Sequence, residues 1–234
     1  MKKTLLIAAA ALVAGIVSSE AQVYSANVVG YVNVVYPSGA NVLVATPLTT
    51  GNDVLTNVIQ GAPASTTIQL WNPGTATFTG LSFTGPASNR HWKDTSGNNQ
   101  DNTLIGPGIS YFVNAGGSSG YTNTYVGTVV PTVGSSVTNV LAAGVVVAAG
   151  NLIPYADYVT NTATINLVPP AATVLQLWDP VNQVFNGFSY TGPASNRTWK
   201  NTGGTVVYPQ IGVAQGFFLQ PGGSTTYNWA QTLP

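Results

Sequence analysis

The stretch Thr84-Gly85-Pro86-Ala87-Ser88-Asn89-Arg90-His91-Trp92-Lys93 returns as Thr191-Gly192-Pro193-Ala194-Ser195-Asn196-Arg197-Thr198-Trp199-Lys200, with the first seven residues identical. The likeness runs well past this stretch. Gln69-Leu70-Trp71-Asn72-Pro73 matches Gln176-Leu177-Trp178-Asp179-Pro180, a shift of 107 residues, and Phe78 and Phe83 match Phe185 and Tyr190. After a one-residue deletion Tyr111-Phe112 matches Phe217-Phe218, and upstream Asn41-Val42-Leu43 is matched to Asn151-Leu152-Ile153. Solenoid repeats span only about 20–50 residues. The chain therefore reads as a duplicated domain.

The first residues predict export. Lys2 and Lys3 precede an uncharged apolar run over 5–17, and Ser19-Glu20-Ala21 places small residues at −3 and −1 of a cut before Gln22. That is a secretory signal peptide over 1–21, with an apolar run too short for a membrane span. No later stretch reaches the about 18–20 apolar residues of a membrane helix, so no transmembrane segment is expected after cleavage. The expected location is the periplasm, the medium or the outer surface of a bacterium. With no cysteine in the chain, disulfides are excluded.

Beyond Lys3 the only stable positive charges are Arg90, Lys93, Arg197 and Lys200. Nucleic-acid binding needs a broad basic footprint, and this chain has none.

Residues 26–36 and 41–45 are β-branched and end at turn residues, so they read as strands. Residues 52–59 pair Val54/Leu55 with Val58/Ile59 four apart, which predicts a two-turn helix capped by Asn52. Hairpins are expected around residues 72–75 and 116–120, and the join between domains over 127–134. The expected fold is all-β: two tandem, duplicated β-sandwich or β-barrel-like domains over 22–130 and 131–234.

The opening Gln22-Val23-Tyr24-Ser25-Ala26-Asn27-Val28-Val29-Gly30-Tyr31-Val32-Asn33, the strand Asn41-Val42-Leu43-Val44-Ala45-Thr46-Pro47-Leu48 and the approach Pro107-Gly108-Ile109-Ser110-Tyr111-Phe112 carry a resemblance. The mature chain resembles secreted proteins of unknown function abundant in Verrucomicrobia-like bacteria. The second copy departs from their pattern, with Val213-Ala214-Gln215-Gly216 in place of the Pro-Gly approach. The resemblance implies an exported tandem β protein and carries no activity.

Two readings fit the repeated cations. In one they are structural: Gly-Pro makes a tight turn, and Arg stacks on Trp or reaches carbonyls. In the other Asn89, Arg90, Trp92 and Lys93, with Asn196, Arg197, Trp199 and Lys200, form a ligand face, Trp as a stacking platform and the others as donors, suited to a neutral or acidic sugar or to an anionic group held by the Arg fork. The strand aromatics Trp71, Trp178, Tyr111, Phe112, Phe217 and Phe218 are expected in the core, and Trp229 against the last strand. His91 is expected exposed in a turn, with Thr198 as its counterpart, and supports no catalytic or metal role. The loop 94–102 is rich in oxygen ligands that suit Ca²⁺ but lacks the EF-hand pattern, so a solvated loop is expected. No catalytic residue, metal or cofactor is assigned. These features predict an exported, non-enzymatic surface or matrix protein acting by adhesion or self-association. A carbohydrate-binding module is the alternative, and a polysaccharide-acting enzyme a less favoured one.

Overall fold

The computed structural model describes residues 28–131 and 134–233, so the expected signal peptide lies outside the described residues. The protein is nearly all β, 47% strand against 2% helix, arranged as two tandem units. The first unit contains β1 (Val29–Tyr36), β2 (Asn41–Ala45), β3 (Thr67–Asn72), β4 (Thr77–Thr84), β5 (His91–Lys93), β6 (Ser110–Asn114) and β7 (Tyr121–Thr128). The second contains β8 (Ser136–Leu141), β9 (Val147–Gly150), β10 (Asp157–Tyr158), β11 (Thr173–Asp179), β12 (Val184–Thr191), β13 (Thr198–Asn201), β14 (Gln210–Ile211), β15 (Gly216–Gln220) and β16 (Tyr227–Thr232).

Each unit has two layers. A five-stranded antiparallel sheet, in the order β2-β6-β3-β4-β5 or β9-β15-β11-β12-β13, packs against a two-stranded ribbon, β1-β7 or β8-β16. Alternate residues of a strand point to opposite faces, and the inward set builds the core. In the first unit Val44, Ile68, Leu81, Trp92, Tyr111 and Val113 from the sheet meet Tyr36 and Tyr125 from the ribbon. Leu175, Trp199, Phe217, Leu219 and Trp229 do the same in the second. Trp229 closes that core, its Nε1–H donating to the Ile165 carbonyl at 2.7 Å.

Two local expectations are corrected. The helix is one turn, α1 (Leu55–Val58), with Val54 at its N-cap and no side-chain cap. Asn52 does not cap it, and Asp53 turns back to accept from Thr49 Oγ1 and the Thr50 N–H, both at 2.7 Å. What holds the turn is burial of Leu55 and Val58. The second correction is one of register. Leu43 lies opposite Phe112, and Ala148 opposite Phe218. Phe112 and Phe218 are the matched pair, so the counterpart of Leu43 is Ala148 and that of Asn41 is Val146. Asn151-Leu152-Ile153 lies further along, beyond the end of β9.

The units meet through the outward faces of their sheets, about a local two-fold relation. The Trp71 Nε1–H donates to the Val146 carbonyl and the Trp178 Nε1–H to the Asn41 carbonyl, both at 2.7 Å. The Ala45 N–H donates to the Ala214 carbonyl at 2.9 Å and its equivalent, the Gly150 N–H, to the Gly108 carbonyl at 3.0 Å. Between them six rings interlock. Trp71 meets Phe218 at 5.5 Å and Trp178 meets Phe112 at 5.1 Å, both edge-on, with Phe78 and Phe185 on the rim. Trp71, Trp178, Phe112 and Phe218 thus pack as expected of core residues, but in a core shared by both units, whereas Tyr111 and Phe217 belong to the core of one unit each.

At the centre of this contact a Cβ added to Gly150 would sit 2.0 Å from Ala45 Cβ. The native protein is expected to unfold in one calorimetric transition and Gly150→Val in two. Unchanged single-transition unfolding would show that the contact tolerates the side chain.

In the first core the hydroxyls of Tyr36 and Tyr125 share a hydrogen bond of 2.6 Å and those of Tyr125 and Tyr111 one of 3.1 Å, with Thr46 Oγ1 3.2 Å from Tyr111. Burial pushes all three phenols well above their usual pKa. Tyr125→Phe breaks the chain in the middle, which is expected to cost about 1–3 kcal/mol. With both units melting together, the midpoint should fall by about 2–4 °C per kcal/mol. A shift under about 2 °C on the same scale would mean the phenols find other partners.

Candidate functional site

The repeated turn is built the same way in both copies. The Asn89 N–H donates to the Pro86 carbonyl at 2.8 Å, and Asn196 to Pro193 at 2.9 Å. Gly85 and Gly192 have φ of 128° and 127°, and a Cβ there would lie 2.5 Å and 2.7 Å from the carbonyl oxygens of Asn89 and Asn196. The Gly-Pro and Asn positions therefore have a structural reason to repeat.

The turn does not present its Trp. Trp92 and Trp199 are each 1% exposed, stacked at a tilt on Phe83 and Tyr190 with centroids 5.1 Å apart. This corrects the idea of a stacking platform, because a buried indole has no free face for a sugar. Strand alternation then sends Lys93 and Lys200, next along the chain, to the outward face. Arg90 and Arg197 are half-buried, with Nε enclosed and no acceptor on it. Asn89 and Asn196 remain exposed at the turn. The eight residues expected to make one ligand face are thus divided between the core, the turn and the outer sheet surface.

His91 is not an exposed turn residue. It opens β5, half-buried, with Nδ1 2.6 Å from Asp101 Oδ2 and Nε2 2.7 Å from Asn89 Oδ1. Asp101 also accepts from the Trp92 N–H at 2.9 Å and from Asn99 Nδ2 at 3.0 Å. Burial raises its pKa, but the bonds from His91, Trp92 and Asn99 outweigh that and hold the carboxyl below its usual value. In the same loop Asp94 accepts from the N–H groups of Ser96 and Asn98 and from the side-chain amides of Asn98 and Gln100. Its oxygens face donors, the wrong surroundings for Ca²⁺.

The outward faces carry another repeated set. Across the first sheet Phe112, Gln69 and Gly80 stand in one cross-strand row, Trp71 and Phe78 in the next, and Thr67, Ser82 and Lys93 in the row on the other side. The second sheet has Phe218, Gln176 and Gly187, then Trp178 and Phe185, then Val174, Ser189 and Lys200. Gln69 and Gln176 are exposed, and Phe78 and Phe185 are 43% and 41% exposed. Among the described residues the side chains of Gln69, Ser82 and Lys93 and of their equivalents make no hydrogen bond or ion pair with the protein.

Gly80 and Gly187 sit in mid-strand with ordinary extended backbone. A Cβ on Gly80 would meet nothing within 4 Å, and one on Gly187 only Thr202 Cγ2 at 3.8 Å. Neither conformation nor crowding calls for glycine, and in a strand it costs about 0.5–1 kcal/mol. Beside the strip, Trp71 and Pro73 wall an open groove of about 310 Å³ against Val140 and Leu152 of the second unit. Its two-fold equivalent, about 170 Å³, lies between Trp178 and Pro180 and Val34 and Val42 of the first.

No protein family, no curated protein and no solved structure matches the chain.

Gln69, Phe78, Gly80 and Ser82, with Gln176, Phe185, Gly187 and Ser189, were not singled out by sequence reasoning. The signal that finds them is Phe-x-Gly-x-Ser, present in both copies on strands whose alternation sends all three residues to one face.

The lowered carboxyl of Asp101 has a consequence in acid. Its ionised form is favoured by the fold, so its contribution is complete above the ordinary carboxylate pKa of about 4. It is lost as pH falls through the lowered folded value. Asp101→Asn should lose less melting temperature between pH 7 and pH 2.5 than the native protein. Equal losses would mean Asp101 is bonded no better folded than unfolded.

Proposed function

We propose that the protein is an exported, non-enzymatic adhesion protein that holds a polysaccharide on the part of each five-stranded sheet's outward face that the contact between the units leaves exposed. The observation that carries this reading is the pair of mid-strand glycines. A residue that weakens a strand, stands in open space and recurs in both copies makes sense as a floor left clear for a ligand. Around that floor stand an exposed phenylalanine ring for the apolar face of a sugar, a free glutamine amide, a serine hydroxyl and a lysine. Two such faces on one chain would turn weak single contacts into firm attachment to a polymer.

The carboxylates argue against catalysis. Asp53, Asp94, Asp157 and Asp179 are each held by neutral donors of their own loops, and Asp101 by His91 and its neighbours. General acid–base work on a glycosidic bond needs a pair of carboxyl groups facing the substrate.

Filling the floor separates binding from stability. Gly80→Val/Gly187→Val is expected to abolish retention on polysaccharide while leaving the melting temperature equal to or above that of the native protein, because a β-branched residue suits a strand better than glycine. Undiminished retention by the folded variant would sink the reading.

A second reading, self-association, has its own observation. The outer face of the β1-β7 ribbon exposes Val29, Tyr31, Val35 and Val126 at 69%, 72%, 67% and 59%. At the positions of Tyr31 and Val126 the second ribbon has Ser136 and Thr232. Light scattering should detect oligomers that grow with concentration and disappear in Tyr31→Ser/Val126→Thr. A native protein that stays monomeric throughout excludes this route.

A further inference from the structure

We infer that the polysaccharide is anionic, its carboxylate or sulfate groups meeting Lys93 and Lys200. The inference rests on the polysaccharide reading and adds the charge of the ligand.

It starts from where the protein places its few charges. Among the described residues the Lys and Arg are Arg90, Lys93, Arg197 and Lys200, and the ion pair found there joins His91 to Asp101, using none of the four. The carboxylates are already taken. Asp53 is held by Thr49 and Thr50, Asp94 by Ser96, Asn98 and Gln100, and Asp101 by His91, Trp92 and Asn99. Asp157 is held by Tyr158, Asn161 and Thr164, and Asp179 by Val181 and Asn182. Bonds of this kind hold Asp94, Asp157 and Asp179 below the usual carboxylate pKa, so they remain ionised while turned into their own loops. Among the described residues no carboxylate forms an ion pair with either lysine.

The lysines are also placed alike. Lys93 is paired across the strands with Ser82, two residues on from Gly80, and Lys200 with Ser189, two residues on from Gly187. That is about 7 Å along one strand and about 5 Å across to the next, a distance the flexible four-carbon stem can lean over. Each floor thus has one ammonium without an ion-pair partner on its border, on the side away from the exposed Phe. A neutral sugar would leave that charge unused. A sugar bearing carboxylate or sulfate would stack over the glycine and carry its charge to the lysine, and a chain of such sugars would do so at both faces.

The test uses two pairs of polymers, each sharing a backbone and differing in charge: polygalacturonate against its methyl ester, and dextran sulfate against dextran. The native protein should be retained on at least one charged member about tenfold more strongly than on its uncharged partner. That preference should vanish near 1 M salt, where screening shortens to about 3 Å. Lys93→Gln/Lys200→Gln should abolish the preference without lowering the melting temperature. Preference for carboxylate alone or sulfate alone would name the group and support the inference. Equal retention on both members of each pair, unchanged in the lysine variant, would overturn it and leave the polysaccharide reading intact. If the native protein is retained on none of the four, both readings fall.

Discussion

A β-strand has two faces and no third, and in this molecule that constraint decides what each residue of the duplicated motif can do. Along β4 and β5, and again along β12 and β13, neighbouring residues separate to opposite sides of the sheet. Trp92 and Trp199 go into the cores, and the lysines that follow them go out. Some inward residues of the two copies differ within what a packed core accepts: Ile68 becomes Leu175 and Leu81 becomes Phe188. Several outward ones do not change, among them Gln69/Gln176, Phe78/Phe185, Gly80/Gly187 and Ser82/Ser189.

Part of that outward identity has a structural cause. A two-fold contact uses the same patch on both partners, and Trp71, Phe112 and Phe78 meet their own equivalents' neighbours across the join. The rings bury one another while each indole N–H finds a carbonyl of the other unit, so no polar group is left stranded. Gln69, Gly80, Ser82 and Lys93 make no side-chain hydrogen bond, ion pair or ring contact across it. Their repetition needs a different cause, which is why the functional reading rests on them and not on the tryptophans.

Duplication and the all-β class were legible because identity at a fixed shift and β-rich runs between turns are local properties of the chain. Three features were not. The Asn-Leu-Ile likeness at 151–153 drew the upstream match to the wrong place, since hydrogen-bond register is set by the partner strand and two apolar segments of one chain can be matched in more than one way. The helix was overestimated because Val54/Leu55 and Val58/Ile59 are spaced for two turns, while Asp53 bonds backward and the tertiary contacts of Leu55 and Val58 support only one. The third was the burial of Trp92, for a tryptophan beside an arginine in a turn-rich stretch reads equally well as platform or plug. Only the strand pairing of β4 with β5 tells which.

The centre of the contact between the units departs from the two-fold relation in the size of its side chains. There the first unit contributes Ala45 and Ser110, and the equivalent positions of the second are Gly150 and Gly216. The close approach leaves room for one side chain at each such place, since a Cβ on Gly216 would lie 2.8 Å from Ser110 Oγ. Two identical chains meeting on a symmetry axis must place the same residue on both sides, so either both are small or the axis opens. Joining the copies in one polypeptide lifts that requirement, and here each half takes the complement of the other: Ala45 and Ser110 stand where Gly150 and Gly216 leave room.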